Sequence, residues 1–189
     1  MANSVTCDVK WSEPQTRKQL EKSRPGEGNF VYAITVGSPS ERGLVRIGAS
    51  ADVGERMKRY KVLDFIPSAQ VFCATVSDAF KQSVTPLLRA YYAEQRTSTP
   101  KFLRDKPLDA CVARELRFIE YKVESLLLRT YQRTHGGQLP PGNDQTGPYR
   151  EYLTEVDVVE SGAIKALGLP RAKMPPLSMT DEQVFSLLW

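Results

Sequence analysis

The chain has 189 residues, of which 41% are hydrophobic, and its 26 basic and 22 acidic side chains give a net charge of +4. A chain of this length is expected to fold as one domain that needs neither disulfides nor a metal. Its longest uncharged runs have thirteen residues, short of the roughly 20 that cross a bilayer, so no membrane span is expected. Three widely spaced cysteines, a single histidine and no apolar leader after Met1 favour a reducing, intracellular location and argue against structural zinc.

The first part of the chain predicts an extension followed by a β-hairpin. Residues 1–28 are polar, include one short helical segment at about 13–22, and are interpreted as an N-terminal extension. Residues 30–36 are dense in β-branched and aromatic side chains, and residues 44–48 repeat this pattern after a Gly/Pro/Ser loop. Two antiparallel strands joined by that loop are therefore expected.

A helix and a third strand are predicted next. Asp52 and Glu55 form a capping-box pattern, which indicates a helix over residues 53–61. Residues 68–76 are rich in Val and Phe and predict a strand.

Helical patterns dominate the second half of the chain. Apolar residues at helical spacing predict a helix over residues 78–94, in which Pro86 forces a kink or a new start. A later apolar stripe predicts a long helix that ends near Thr134. Residues 136–148 form a Gly/Pro/Asn/Asp-rich loop, and a loop of that length is usually functional or mobile. Residues 161–189 are interpreted as a proline-rich tail with a short terminal helix.

The basic charge is concentrated in the first four-fifths of the chain. Residues 1–150 contain 23 basic and 16 acidic side chains, whereas residues 151–189 contain 3 and 6. A clustered cationic excess is typical of proteins that bind a phosphate backbone, because binding releases counterions from the polyanion. The charge distribution therefore favours a nucleic acid partner.

Five side chains follow one another in a recognisable order along the predicted strands and helices. They are Tyr32 in Phe-Val-Tyr, Arg46 in Arg-Ile-Gly, Arg56 and Tyr60 in the helix that follows, and Glu124 on the long helix. Their order and spacing resemble the GIY-YIG nuclease family, with FVY and RIG at the positions of the two family tripeptides. The Val-Glu-Ser-Leu-Leu-Leu run around Glu124 is similar to the Glu-Ala-Leu-Leu-Leu segment of excision-repair members. The later Arg-Glu-Tyr-Leu is similar to the ending of a branch common in phages and large DNA viruses.

The resemblance implies a fold class, an activity and domain limits. It implies an α+β fold in which a small antiparallel three-stranded sheet is flanked by helices. It also implies an endonuclease that depends on Mg²⁺ or Mn²⁺ and cuts phosphodiester bonds, in DNA rather than RNA. The nuclease-like domain would span residues 29–160. In the shortest family members the metal-binding Glu closely follows the third strand, so residues 77–113 are interpreted as an inserted helical segment.

The residue types also fit phosphodiester hydrolysis on chemical grounds. This reaction needs a cation at the developing negative charge, an acceptor for the proton of water and a cationic anchor for the phosphate. Glu124 is the candidate metal ligand, since hard divalent ions keep several waters and need few carboxylates. Arg56 offers a planar guanidinium to phosphate oxygens, with Tyr60 on the same helix face. Tyr32 is the candidate general base, and Arg46 is the cation expected to favour its phenolate.

Arg46 stands where most family members have a second tyrosine, and a guanidinium cannot act as a base at neutral pH. The proton acceptor is therefore Tyr32, with Tyr60 or a metal hydroxide as alternatives. Three further charged residues are secondary candidates for the site: Glu120, Arg150 and Glu151. A one-turn shift of the long helix would exchange Glu120 with Glu124.

Two other functions stay open from the sequence. Arg46 in place of tyrosine is also expected in a catalytically inactive module that keeps the fold and binds nucleic acid. The proline-rich tail, which ends in Leu187-Leu188-Trp189, could dock on a protein partner, and this interaction could coexist with catalysis.

Overall fold

The computed structural model of the protein describes residues 5–22, 30–98, 107–147 and 156–173. Within these ranges the chain forms five strands and five α-helices. In chain order they are β1 (Val5–Trp11), α1 (Arg17–Lys22), β2 (Phe30–Val36), β3 (Gly43–Ser50), α2 (Val53–Met57), β4 (Gln70–Ala74), α3 (Asp78–Ser98), α4 (Leu108–Arg117), α5 (Ile119–Thr134) and β5 (Val156–Gly162). Two 3₁₀ helices, Lys61–Phe65 and Ala166–Gly168, follow α2 and β5.

The centre of the fold is a three-stranded antiparallel sheet with the strand order β3-β2-β4. β2 is the middle strand and pairs with both neighbours along most of its length. The hairpin between β2 and β3 begins at Gly37, whose φ of 102° lies in the left-handed region that glycine adopts without strain. The predicted α+β class, with a small three-stranded antiparallel sheet and flanking helices, is therefore confirmed.

Successive side chains of β2 enter two different hydrophobic cores, as the period-two alternation of a strand requires. Val31 and Ala33 face a core built with α3 and α5, whereas Tyr32, Ile34 and Val36 face a second core built with α1, α2 and the first 3₁₀ helix. All five side chains are at most 5% exposed. Burial on both faces explains why the strand is a continuous apolar run.

The N-terminal region belongs to the fold. β1 pairs in parallel with β5 along its whole length and forms a second sheet. Cys7, Val9 and Trp11 are at most 2% exposed, and Trp11 Nε1 donates a hydrogen bond of 2.7 Å to Glu160 Oε1. Residues 5–22 therefore belong to the fold, which corrects the prediction of an N-terminal extension for that part of residues 1–28. Buried Cys7, Val9 and Trp11 alternate with the exposed Asp8 and Lys10, which is the period-two pattern of a strand with one buried face.

The segment after β5 is packed on the domain as well. Leu167 N–H donates to Glu160 Oε2 at 3.0 Å. Two further bonds attach the segment to Leu44 of β3: Leu44 N–H donates to Pro170 O at 2.8 Å, and Ala172 N–H donates to Leu44 O at 3.0 Å. Residues 161–173 are therefore part of the domain, which corrects the predicted limit at residue 160. The predicted terminal helix and the suggested protein-binding terminus lie outside the described residues.

The helices differ from their predictions mainly in length. α2 begins at the predicted cap, where Asp52 accepts from Glu55 N–H at 2.9 Å. It ends at Met57 rather than at residue 61, and the chain continues with tighter bonds such as Tyr60 N–H to Met57 O at 3.0 Å. α3 runs through Pro86 without interruption, because packing of its apolar face on the core outweighs the loss of one helical donor. Among the described helices none is long and apolar enough to span a membrane.

Candidate active site

Two tyrosine side chains meet inside the second core. Tyr32 comes from β2 and Tyr60 from the turn after α2, and their hydroxyl oxygens lie 2.9 Å apart. The ring centroids are 6.3 Å apart, and the two residues are 1% and 2% exposed. The two phenols therefore form one buried hydrogen-bonded pair.

The glycine of the Arg-Ile-Gly motif makes room for this pair. Gly48 lies directly opposite Tyr32 in the β2–β3 register, and a Cβ atom at this position would overlap Cζ and Oη of the Tyr32 ring. The phenol therefore crosses β3 at a position where that strand has no side chain. This gives a packing reason for the glycine at position 48.

Arg46 reaches the tyrosine pair from a bulge in β3. Ile34 lies opposite Arg46 and the next residue of β2 lies opposite Leu44, so Val45 is the extra residue, and bulges of this kind re-aim neighbouring side chains. The Arg46 guanidinium carbon lies 5.6 Å from the ring centroid of Tyr60, within range of a cation–π contact. Burial lowers the pKa of Arg46, but Tyr32, Tyr60 and Glu124 outweigh this and raise it above its usual value.

Glu124 reaches the same site from α5, which packs against β3. Its half-buried carboxylate accepts a hydrogen bond from Ala49 N–H at the outer edge of β3 and interacts with Arg46 and Arg56. Burial raises the pKa of Glu124 to about 7, although Arg46, the Ala49 N–H and Arg56 lower it. The carboxylate therefore changes its charge near neutral pH in the free protein.

The remaining predicted residues divide into those near the site and those away from it. Arg56 on α2 is partly exposed and is close enough to lower the pKa of both Tyr32 and Glu124. Glu120, the predicted rival, is buried on α5 and its Oε1 lies 3.7 Å from Lys81 Nζ of α3, so it faces α3 instead. The two other secondary candidates, at positions 150 and 151, lie outside the described residues.

The protonation state of Tyr32 differs from what its cationic neighbours suggest. Burial raises the pKa of Tyr32 above its usual 10, and the neighbouring Tyr60 hydroxyl raises this pKa further through its charge and its hydrogen bond. Arg46 and Arg56 lower the pKa of Tyr32. Desolvation is the larger effect here, because it disfavours the charged phenolate. The Tyr32 phenol is therefore neutral at physiological pH in the free protein.

A contribution to the site that sequence reasoning missed comes from residues 136–147, here called the docking loop. The loop lies against the outer edge of β3, where Gly142 and Asn143 form hydrogen bonds to the strand on both sides of Arg46. Its Gly/Pro/Asn composition marks a loop of functional type, but on β3 its bonds go mostly to backbone atoms, those of Val45 and Ile47. Backbone contacts leave little trace in residue types.

The site offers one carboxylate, that of Glu124, as a ligand for a divalent cation. Within the described ranges no group of three or more His, Cys, Asp and Glu side chains is arranged to hold a metal. Glu124 alone can serve Mg²⁺ or Mn²⁺, since these ions keep several waters and take further oxygens from a phosphate substrate. The adjacent guanidinium groups of Arg46 and Arg56 repel a bare cation, so the ion is expected to bind most readily together with a phosphate.

No protein-family model matches the sequence, and no curated protein or solved structure matches it either. The chemistry available at the site follows from its own side chains. Two phenols, two guanidinium groups and one carboxylate come together from β2, β3, α2, α5 and the turn after α2. Such a set can bind an oxyanion, hold a hard cation and exchange a proton.

Proposed function

We propose that the protein is a GIY-YIG-type endonuclease that depends on a divalent metal and hydrolyses phosphodiester bonds in DNA. The observation that carries the proposal is the position of Glu124, which lies beside Arg46 and Arg56 although it comes from a helix far along the chain. A half-buried carboxylate next to two guanidinium groups and a phenol pair supplies the groups that this reaction needs. The uneven distribution of basic residues also supports a polyanionic substrate.

Arg46 and Arg56 would bind the scissile phosphate. A guanidinium presents several donors in one plane and matches two phosphate oxygens at once. Arg46 is held against the Tyr60 ring, whereas Arg56 is partly exposed at the end of α2. We therefore expect Arg46 to fix the orientation of the phosphate and Arg56 to add charge that stabilises the transition state.

Glu124 would hold the metal ion. When bound, Mg²⁺ or Mn²⁺ would supply positive charge where negative charge develops on the phosphate. Metal binding requires the ionised carboxylate, and the pKa of Glu124 is about 7 in the free protein. Cleavage at limiting metal concentration should therefore rise as the pH increases through about 7.

Tyr32 is the proposed acceptor of the proton from the attacking water. Because burial keeps its phenol neutral, it can act only after its own proton has left: that proton can pass to the Tyr60 oxygen at 2.9 Å while Tyr60 gives up its own hydroxyl proton to water. Arg46 and Arg56 favour the resulting phenolate. Tyr60 remains the alternative acceptor, since it lies in the same pair.

Supercoiled plasmid incubated with Mg²⁺, Mn²⁺ or EDTA tests the proposal. Glu124→Gln should abolish nicking, whereas Glu120→Gln, the same change one turn earlier on α5, should retain it because Glu120 faces α3. Tyr32→Phe should lower the rate about 10² to 10⁴-fold, as for loss of a general base. Nicking that survives both Glu124→Gln and Tyr32→Phe would contradict the assigned roles.

A second function, a non-catalytic nucleic-acid-binding module, is favoured by one specific observation. Glu124 already accepts a hydrogen bond from Ala49 N–H, so it also closes the edge of β3, and this role requires no metal. A protein of that kind would bind DNA in EDTA and release no product with any divalent ion. Metal-dependent product formation would dismiss this alternative.

A further inference from the structure

The docking loop fixes the backbone of β3 immediately before and after Arg46. Gly142 N–H donates to Val45 O at 2.8 Å. The Asn143 side chain bridges the following residue, since its Oδ1 accepts from Ile47 N–H at 3.0 Å and its Nδ2 donates to Ile47 O at 2.8 Å. The amide of Asn143 thus replaces one residue of a neighbouring strand.

The loop also holds the Arg46 side chain itself. Gly142 O accepts a hydrogen bond from Arg46 Nη1, while the Tyr60 ring lies on the guanidinium at 5.6 Å from its carbon. An arginine side chain has many rotamers in solution. The carbonyl acceptor on one side and the aromatic ring on another restrict Arg46 to few of them. In the rotamer that is held, the guanidinium interacts with Tyr32 and Glu124.

A residue larger than glycine at position 142 would require the loop or β3 to shift by a few tenths of an ångström. A Cβ atom on Gly142 would lie 3.1 Å from Val45 O and 3.3 Å from Arg46 Cβ, closer than ordinary van der Waals contact. A side chain there would push the loop away from β3. The carbonyl that accepts the Arg46 hydrogen bond would move with it.

We propose that Gly142 and Asn143 are positioning residues that hold the Arg46 guanidinium in the orientation that binds a backbone phosphate. The inference rests on the proposed nuclease function and adds the groups that orient one of its two phosphate anchors. Neither residue carries a charge to contribute to catalysis. A displacement of about 1 Å at a reacting group can lower a rate about 100-fold, so loss of these contacts should weaken catalysis without removing any charge from the site.

A double-mutant cycle separates positioning from simple stabilisation of the fold. Asn143→Ala should lower kcat/KM for nicking about 10- to 100-fold, mostly through kcat, whereas Asp144→Ala, at an exposed position of the same loop, should leave it unchanged. In the Arg46→Ala background, Asn143→Ala should have little further effect, because the group that it orients is gone. An equal loss in both backgrounds would overturn the proposal.

Nuclear magnetic resonance tests the positioning without any turnover. The Arg46 Nε–H group should be rigid in the wild type and in Asp144→Ala, and its order parameter should fall below about 0.6 in Asn143→Ala and Gly142→Ala. If urea denaturation shows that Asn143→Ala does not fold, Asn143→Asp, which keeps the acceptor for Ile47 N–H, takes its place. An Arg46 that stays rigid in the variants overturns the inference, whether or not the protein cuts DNA. If Arg46 is rigid in the wild type but the protein cuts no DNA, the positioning is upheld and the proposed nuclease function is contradicted.

Discussion

Replacing Glu124 with glutamine should make the metal-free protein more stable at neutral pH. Glutamine keeps an oxygen that can accept the hydrogen bond from Ala49 N–H, but it carries no charge. In the wild type, burial raises the pKa of Glu124 from its usual 4.5 to about 7, so ionisation of this side chain is less favourable in the folded than in the unfolded protein. The variant removes that penalty.

The sign and size of the effect follow from proton linkage. Between pH 4.5 and about 7 the folded protein binds more protons than the unfolded chain, so the free energy of unfolding falls as the pH rises through this window. The rise from 4.5 to about 7, at about 1.36 kcal/mol per pH unit, corresponds to at most about 3 kcal/mol. Partial exposure of Glu124 screens its charge, so we expect the variant to gain about 1 to 3 kcal/mol over the wild type above pH 7.

Urea denaturation in EDTA across this pH range measures the effect. The two proteins should have similar stability below the lower end of the window and should diverge through it. Glu55→Gln, at an exposed position of α2, controls for the loss of one exposed negative charge, which in this case is paired with Lys58 at 2.6 Å. A difference between wild type and Glu124→Gln that stays constant with pH would refute the assigned burial of the carboxylate.

Three further changes test the packing around the site. Gly48→Ala should lower the free energy of unfolding by about 1 to 3 kcal/mol, because the added methyl group overlaps the Tyr32 ring, and a urea midpoint equal to that of the wild type would disprove the close approach. Since burial raises the pKa of Tyr32 above its usual 10, Tyr32→Phe should not reduce the phenolate absorbance that develops up to about pH 10; a clear reduction would show that Tyr32 is solvated. Arg17→Ala should lower the free energy of unfolding by about 1 to 3 kcal/mol, because Arg17 is 8% exposed and donates to Asp64 at 2.6 and 2.8 Å. Lys18→Ala, at an exposed position of the same helix, should change the free energy of unfolding little in the same denaturation assay.

Elements with a local signal could be predicted from the sequence. The β2–β3 hairpin has a dense β-branched run on each side of a Gly/Pro loop, and α2 begins at a cap whose hydrogen bond depends on residues three apart. Side chains at such short separations report directly on backbone conformation. The order of motifs also led to the expectation that Glu124 would lie beside Arg46, as the structure has it.

Elements stabilised by distant contacts could not be predicted in this way. The prediction of an extension rests on the overall polarity of residues 1–28, whereas the alternation of apolar and charged residues over 7–11 is the local signal of a half-buried strand; the partner of β1 lies near the other end of the described chain. The end of α2 at Met57 has no proline or glycine to mark it. Gly142 and Asn143 were missed at the site because they act on backbone atoms of β3. A sequence pattern shows which side chains are present, but not which backbone edge a loop will cover.

The parallel pairing of β1 with β5 has a consequence during synthesis of the protein. β1 leaves the ribosome first of the described strands, and its partner cannot join it until the chain has been made as far as Gly162. At about 5 to 20 residues per second this interval is on the order of 10 seconds. Throughout it the edge of β1 that later pairs with β5 stays open, although the segment after β4 is already made and bridges Val9 at Val76, so this open edge is where a chaperone would be most useful.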